Sequence, residues 1–215
     1  VNPLMGTHSS FEFSSGNTYP AIAMPWGMNF WSPRTARVGD GWKYTYTAHK
    51  IYGFEQTHQP SPWINDYGQF AIMPVRDVAA VDQDSRASWF SHKSETARPY
   101  CYQVYLADHD INVEMAPSDR AASFQFTYPL SETSGVIVDA YDEGSYIKVI
   151  PELQAVVGYT TKNCGGVPEN FRNWFVVVFD KPFESFMVYD GPHKGLEELY
   201  GFERQFIINS KHKQL

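Results

Sequence analysis

From about residue 67 onward the chain alternates apolar and polar positions in short runs. In RPYCYQVYLADHD, residues Tyr100, Tyr102, Val104 and Leu106 occupy every second position, and a strand sets such residues on one face. The same period recurs in INVEM (Ile111, Val113, Met115) and ASFQFTY (Phe124, Phe126, Tyr128). GVIVDAY, SYIKVI, AVVGYTT, NWFVVVFDK and RQFIIN read the same way, with Pro, Gly, Asn or Asp clusters between them. Strands at intervals of roughly 8 to 12 residues, without long amphipathic helical windows, predict an all-β fold: a large antiparallel β-sandwich with long loops. A doubly wound α/β sheet is disfavoured. Only GLEELYG, residues 195 to 201, has the pattern of a helical turn.

The first 66 residues hold four of the six tryptophans, many glycines and prolines, and little clean alternation. They predict long loops and short strands crossing one end of the sandwich, where binding residues tend to sit. No repeat, low-complexity tract or linker marks a domain boundary, so residues 1–215 read as one β-sandwich domain. The chain ends at NSKHKQL without a turn or cap signal, which is compatible with a piece of something longer.

A composition 43% hydrophobic and 16% aromatic over 215 residues supports a real core. The net charge of −7, with no Lys/Arg-rich run, gives no basic footprint for nucleic acid or an anionic membrane. No apolar run reaches the length of a membrane span, and VNPLMGTH has neither the charged nor the apolar region of a secretory leader. Cys101 and Cys164 lack the paired spacings of zinc or redox motifs, and two unrelated thiols is the favoured reading.

Familiar chemistries fail one by one. There is no Walker loop, GxGxxG or nucleophile elbow. His58, Ser61 and Asp66 lie on one loop, where mutual hydrogen bonding explains them better than a triad does. A strand through ADHDIN would separate His109 from Asp108 and Asp110, so the three do not converge on an ion. The DQDSRA segment starting at Asp82 has Ala87 where a calcium loop needs glycine, and reads as a turn. A glycosidase needs two carboxylates across a cleft. Glu12, Asp66, Asp142, Glu143 and Glu169 are available, and spacing selects no pair among them. What remains is the aromatic and polar density of SSGNTYPAIAMPWGMNFWSP and THQPSPWINDYG. A tryptophan such as Trp63, held among loop formers, offers a flat plate to the C–H face of a sugar, while Asn, His and Asp satisfy hydroxyls. The competing reading is a core tryptophan, and most of the six are expected in the core.

The order VNPLMGT, SGNTYPAIAMPWGM, DGWKYTY and IYGFEQTHQPSPWINDYGQFAIMPV, followed by ASWFSHKSE and YTTKNCGGVPENF, resembles the N-terminal domain of glycoside hydrolase family 92, exo-acting, calcium-dependent α-mannosidases. The resemblance implies a supersandwich of the galactose-mutarotase-like type, followed in the whole enzyme by a C-terminal (α/α)6 catalytic barrel absent from this chain. It implies inversion at the anomeric carbon, with the acid, the base and most calcium ligands in that barrel and no catalytic residue here. It carries over substrate-binding positions Gly16, Asn17 and Thr18, and His58, Trp63 and Asp66, with Trp63 as a platform for the leaving sugar that goes with α-1,2 linkages. Structural bracing is an equal reading for Asn17 and His58. The implied partners are mannose-containing glycans and the chain's own catalytic domain, and the implied location is periplasmic, extracellular or cell-surface. A free-standing, non-catalytic carbohydrate-binding module is the alternative.

Overall fold

The computed structural model describes residues 1–8, 18–37, 43–57, 70–140, 145–163 and 166–189, with the backbone alone of 190, 193–194 and 204–209. In chain order its strands are β1 (Phe30–Arg34), β2 (Lys50–Ile51), β3 (Gly53–Thr57), β4 (Phe70–Val75), β5 (Ser88–Trp89), β6 (Thr96–Arg98), β7 (Cys101–Leu106) and β8 (Ile111–Pro117). There follow β9 (Ala122–Thr127), β10 (Gly135–Ala140), β11 (Tyr146–Ile150), β12 (Ala155–Thr160), β13 (Asn173–Val178), β14 (Ser185–Asp190), β15 (His193–Lys194) and β16 (Arg204–Asn209).

Seven strands form the main antiparallel sheet in the order β1-β3-β4-β10-β16-β14-β15. Two smaller sheets, β6-β7-β8-β9 and β11-β12-β13, form the second layer. Aromatic contacts join the layers: Trp31 meets Phe124 at 5.0 Å, Phe70 stacks on Phe175 at 4.3 Å, and Phe54 lies 6.1 Å from Tyr102. The antiparallel sandwich is therefore the observed fold.

Alternation survives where one face is open and disappears where both are covered. β8 follows the pattern in full, Ile111, Val113 and Met115 being buried and Asn112, Glu114 and Ala116 exposed. β4 and β10 are buried at every position, which explains their near-continuous apolar runs. Each fully buried large aliphatic there contributes about 1.5–3 kcal/mol. Pro74, inside β4, pairs with Val136 of β10 beyond the stretch where β4 also pairs with β3. Its missing N–H thus costs no ladder bond on the β3 side.

Several local expectations change. Tyr100 precedes β7 and is exposed. ADHD is the turn of the β7–β8 hairpin, not a strand, with Asp110 at φ 55°. There Asp108 Oδ2 accepts from the Trp89 N–H at 2.9 Å and Asp110 Oδ1 from the Tyr105 hydroxyl at 2.8 Å, so both aspartates brace the turn. DQDSRA forms one helical turn, α1 (Gln83–Arg86), because Asp82 caps it by accepting from the N–H groups of Asp84 and Ser85. The short strands expected in the N-terminal region are present, and β1 and β3 are members of the main sheet itself rather than crossing its end. Of the four tryptophans described, Trp31 alone is core; Trp26, at φ 64°, is 98% exposed, and Trp89 and Trp174 are also exposed. Cys101 is a free, half-buried thiol, whereas Cys164 and the helical turn expected at 195–201 lie outside the described residues.

Within the three-stranded sheet, Gly158 of β12 is packed tightly between its neighbours β11 and β13. A Cβ there would stand 2.5 Å from both the Tyr146 carbonyl oxygen and the Phe175 ring, and that ring is held by its stack on Phe70. Gly158→Ala is expected to cost about 1–3 kcal/mol, read as a lower urea midpoint with an unchanged slope.

Candidate functional site

The main sheet has an apolar face, which meets the second layer, and a charged one. Register places Ser32 opposite Glu55, Glu55 opposite Ala71 and Ala71 opposite Asp139, one row across four strands. It carries two buried carboxylates separated by two strand spacings, about 10 Å. Neither can stay ionised in an apolar interior without a partner. Glu55 Oε2 receives the Arg34 guanidinium and, at 2.6 Å, the Lys43 ammonium. Asp139 receives the guanidinium of Arg86 from α1. Burial alone would raise the pKa of Glu55, but Arg34 and Lys43 together outweigh it and hold the carboxyl below its ordinary range.

Lys43 leads directly into a second cluster. Glu95 accepts from the Tyr44 hydroxyl at 3.0 Å and the Tyr102 hydroxyl at 2.6 Å, and its Oε2 lies 2.6 Å from His92 Nδ1. Burial, reinforced by the Glu95 charge, pushes the pKa values of both tyrosines up, so they remain donors. His92 Nε2 faces the Tyr46 carbonyl at 2.6 Å, and its ring stacks on Tyr46 at 3.8 Å. Tyr46 in turn stacks on His8 at 5.9 Å. His109 is likewise fixed, with Nε2 donating to the Arg86 carbonyl at 2.7 Å and Nδ1 accepting from the Arg76 N–H.

These clusters involve described residues that flank three segments, 9–17, 38–42 and 58–69. His8 precedes residues 9–17, Arg37 and Lys43 bracket 38–42, and Glu55 lies in the strand that leads to 58–69. Arg37 is itself held by Arg34, which donates to its carbonyl, and by an exposed bidentate pair with Asp84. The described flanks thus belong to a scaffold braced by buried charge.

Of the six expected substrate-binding residues, Gly16, Asn17, His58, Trp63 and Asp66 lie outside the described residues. Thr18 is half-buried, and a Cβ added to Gly6, which sits at φ 85°, would come 3.3 Å from its methyl and hydroxyl. Thr18 therefore covers the turn at residues 3–6. Among the carboxylates weighed for catalysis, Glu12, Asp66, Asp142 and Glu143 also lie outside the described residues, and Glu169 is exposed in a turn. Glu55, Glu95 and Asp139 went unweighed. Their signal was available for two of them: a lone carboxylate inside an apolar strand such as GVIVDAY or GFEQT must be paired. The described residues bring no group of three or more His, Cys, Asp or Glu together for a metal, and their buried carboxylates are already taken by cations or hydroxyls. Those residues do not fit a calcium ion.

The described residues define the class as a two-layer antiparallel β-sandwich domain with one apolar and one charged sheet face. The chain matches the family model described as the glycosyl hydrolase family 92 N-terminal domain over residues 1–211, and it belongs to that family. Among solved structures it is similar to the inverting family GH92 mannosidase BT2199 from Bacteroides thetaiotaomicron, with 45% identity and a TM-score of 0.90, covering 97% of this chain and 28% of that one. The GH92 α-mannosidase BT3965 of the same organism matches at 23% identity and TM-score 0.79, covering 99% and 31%, and adds evidence for the fold alone. The chain thus spans less than a third of these relatives. No curated protein matches it.

The Glu55 cluster sets a pH dependence. Because its folded pKa lies below the ordinary value of 4.5, its stabilisation is complete above that pH and is lost as pH falls through the lowered folded value. Glu55→Gln removes the carboxylate that Arg34 and Lys43 share and is expected to cost about 3–5 kcal/mol at neutral pH. It should also flatten the fall of the urea midpoint between pH 5 and pH 3, roughly the carboxylate range. An equally steep fall in the variant would assign the acid sensitivity to other groups.

Proposed function

We propose that this chain is the substrate-pocket domain of a calcium-dependent, inverting exo-α-mannosidase, with α-1,2-linked mannose at the ends of glycans as its favoured substrate. The observation that carries the reading is 45% identity over 97% of the chain with a protein solved as an inverting mannosidase. The loops at 14–18 and 57–68 form part of the pocket wall, with Trp63 as the plate under the leaving sugar and His58, Asp66, Gly16, Asn17 and Thr18 shaping or bracing it. The parent enzyme works outside the cytoplasm, where mannose-rich glycans are met.

Inversion requires one carboxylic acid at the leaving oxygen and one carboxylate for water on the opposite face. Glu55 and Asp139 are committed to cations and Glu95 to two tyrosines and a histidine, which supports placing acid and base in a C-terminal (α/α)6 barrel beyond this domain. Calcium is held there as well, where it would help to distort the terminal mannose. The domain alone is then inactive.

Two measurements test this. The parent enzyme should hydrolyse α-1,2-mannobiose in calcium while residues 1–215 alone do not; comparable turnover by the domain would show the catalysts to be misplaced, and binding without turnover by both would indicate a carbohydrate-binding module. Trp63→Ala in the parent should lower kcat/KM on the disaccharide by about tenfold, a loss of stacking worth roughly 1.4 kcal/mol. Hydrolysis of an activated aryl mannoside should change far less. Equal losses on both substrates would make Trp63 a core residue.

A further inference from the structure

The second layer is split. Among the described residues, β9 pairs only with β8 and β13 only with β12. A cleft of about 950 Å³ runs between the two strands, floored by Trp31 and Phe70 of the main sheet's apolar face. Core side chains along it are only half-buried, Phe124 and Phe126 on one side and Val177 and Phe179 on the other. Trp174, Val176 and Val178, on the opposite side of β13, are 66%, 62% and 69% exposed. Neither ASFQFT nor NWFVVV carries the lysine, proline or other charge that natural edge strands use against pairing. Two undefended edges with an unfinished core between them describe a place for a strand.

The dimensions fit one. A strand in a sandwich takes about 4.8 Å between neighbours, about 10 Å between layers and about 3.3 Å along its axis per residue. The cleft is lined by residues 122–126 and 174–178, so it runs along most of the six-residue strands β9 and β13. The occupant's origin follows from coverage: the same sandwich, at TM-score 0.90, makes up 28% of the solved BT2199 chain. We infer that in the parent protein a β-strand from outside residues 1–215 inserts between β9 and β13, joining the four- and three-stranded sheets into one layer. Its inner side chains are apolar and cover Trp31 and Phe70. The inference rests on the reading that the chain is one domain of a longer mannosidase.

A photo-crosslinking residue placed at Val176, a solvent-exposed site, in the purified parent protein tests it by mass spectrometry. The expected product is an intramolecular crosslink to a peptide outside residues 1–215. Hydrogen exchange of the unmodified parent is the second readout. The β9 and β13 amides that do not donate to β8 or β12 should exchange at least 100-fold more slowly than free chain. Crosslinks to a peptide within 1–215 or to a second copy, or edge amides exchanging at free-chain rates, would overturn the inference. Mannoside hydrolysis by the same preparation separates the two claims. An active enzyme with open edges refutes the inserted strand alone, and an inactive protein with a captured strand refutes the mannosidase alone.

Discussion

Glu55 lies in the middle of β3 with no access to water, and both cations that neutralise it come from the chain that leads into and out of residues 38–42. That arrangement constrains everything around it. The strand pairing of β1 with β3 sets Arg34 within reach, and Lys43 reaches the same carboxylate from the other side of residues 38–42. An ion pair of this kind contributes little net stability compared with an apolar substitute, but a wrong register would strand a charge in the interior at a cost of several kcal/mol. The cluster therefore acts on specificity of fold more than on its depth.

The same logic extends outward. Arg86 and Asp139 fasten α1 to the centre of the main sheet, and Glu95 gathers two tyrosines and a histidine from three segments. Through Tyr46 that network reaches His8 near the N-terminus. The charged face of the sheet is thus cross-linked by paired side chains, while the opposite face carries the hydrophobic core.

The two layers differ in completeness for a physical reason. The main sheet runs unbroken across seven strands, so its central members are buried on both faces. The second layer is interrupted at β9 and β13, where aromatic side chains touch the core yet remain partly wet. The chain covers under a third of the solved relatives, and the inserted strand proposed above would close this edge. The exposed tryptophan and valines of β13 belong to the same picture.

Period-2 alternation was enough to place β7, β8 and β9 and the antiparallel class, since side-chain direction along a strand is a local property. The order of the long motifs was enough to place the family. By contrast, ADHD looked like strand until the hairpin required a turn there, and DQDSRA looked like a turn until Asp82 found two N–H groups to cap. The tryptophans were assigned mostly to the core from their size, whereas Trp26 and Trp174 face solvent. Glu55 and Asp139 show the limit most clearly. Their composition signalled that each needed a partner, but the partners sit 12 to 53 residues away, and only the packing of sheet, helix and loop decided which cation would reach which carboxylate. Charge pairing acts through space and alternation acts along the chain, so the sequence by itself determined the strands and the family, and tertiary structure decided the network that holds them.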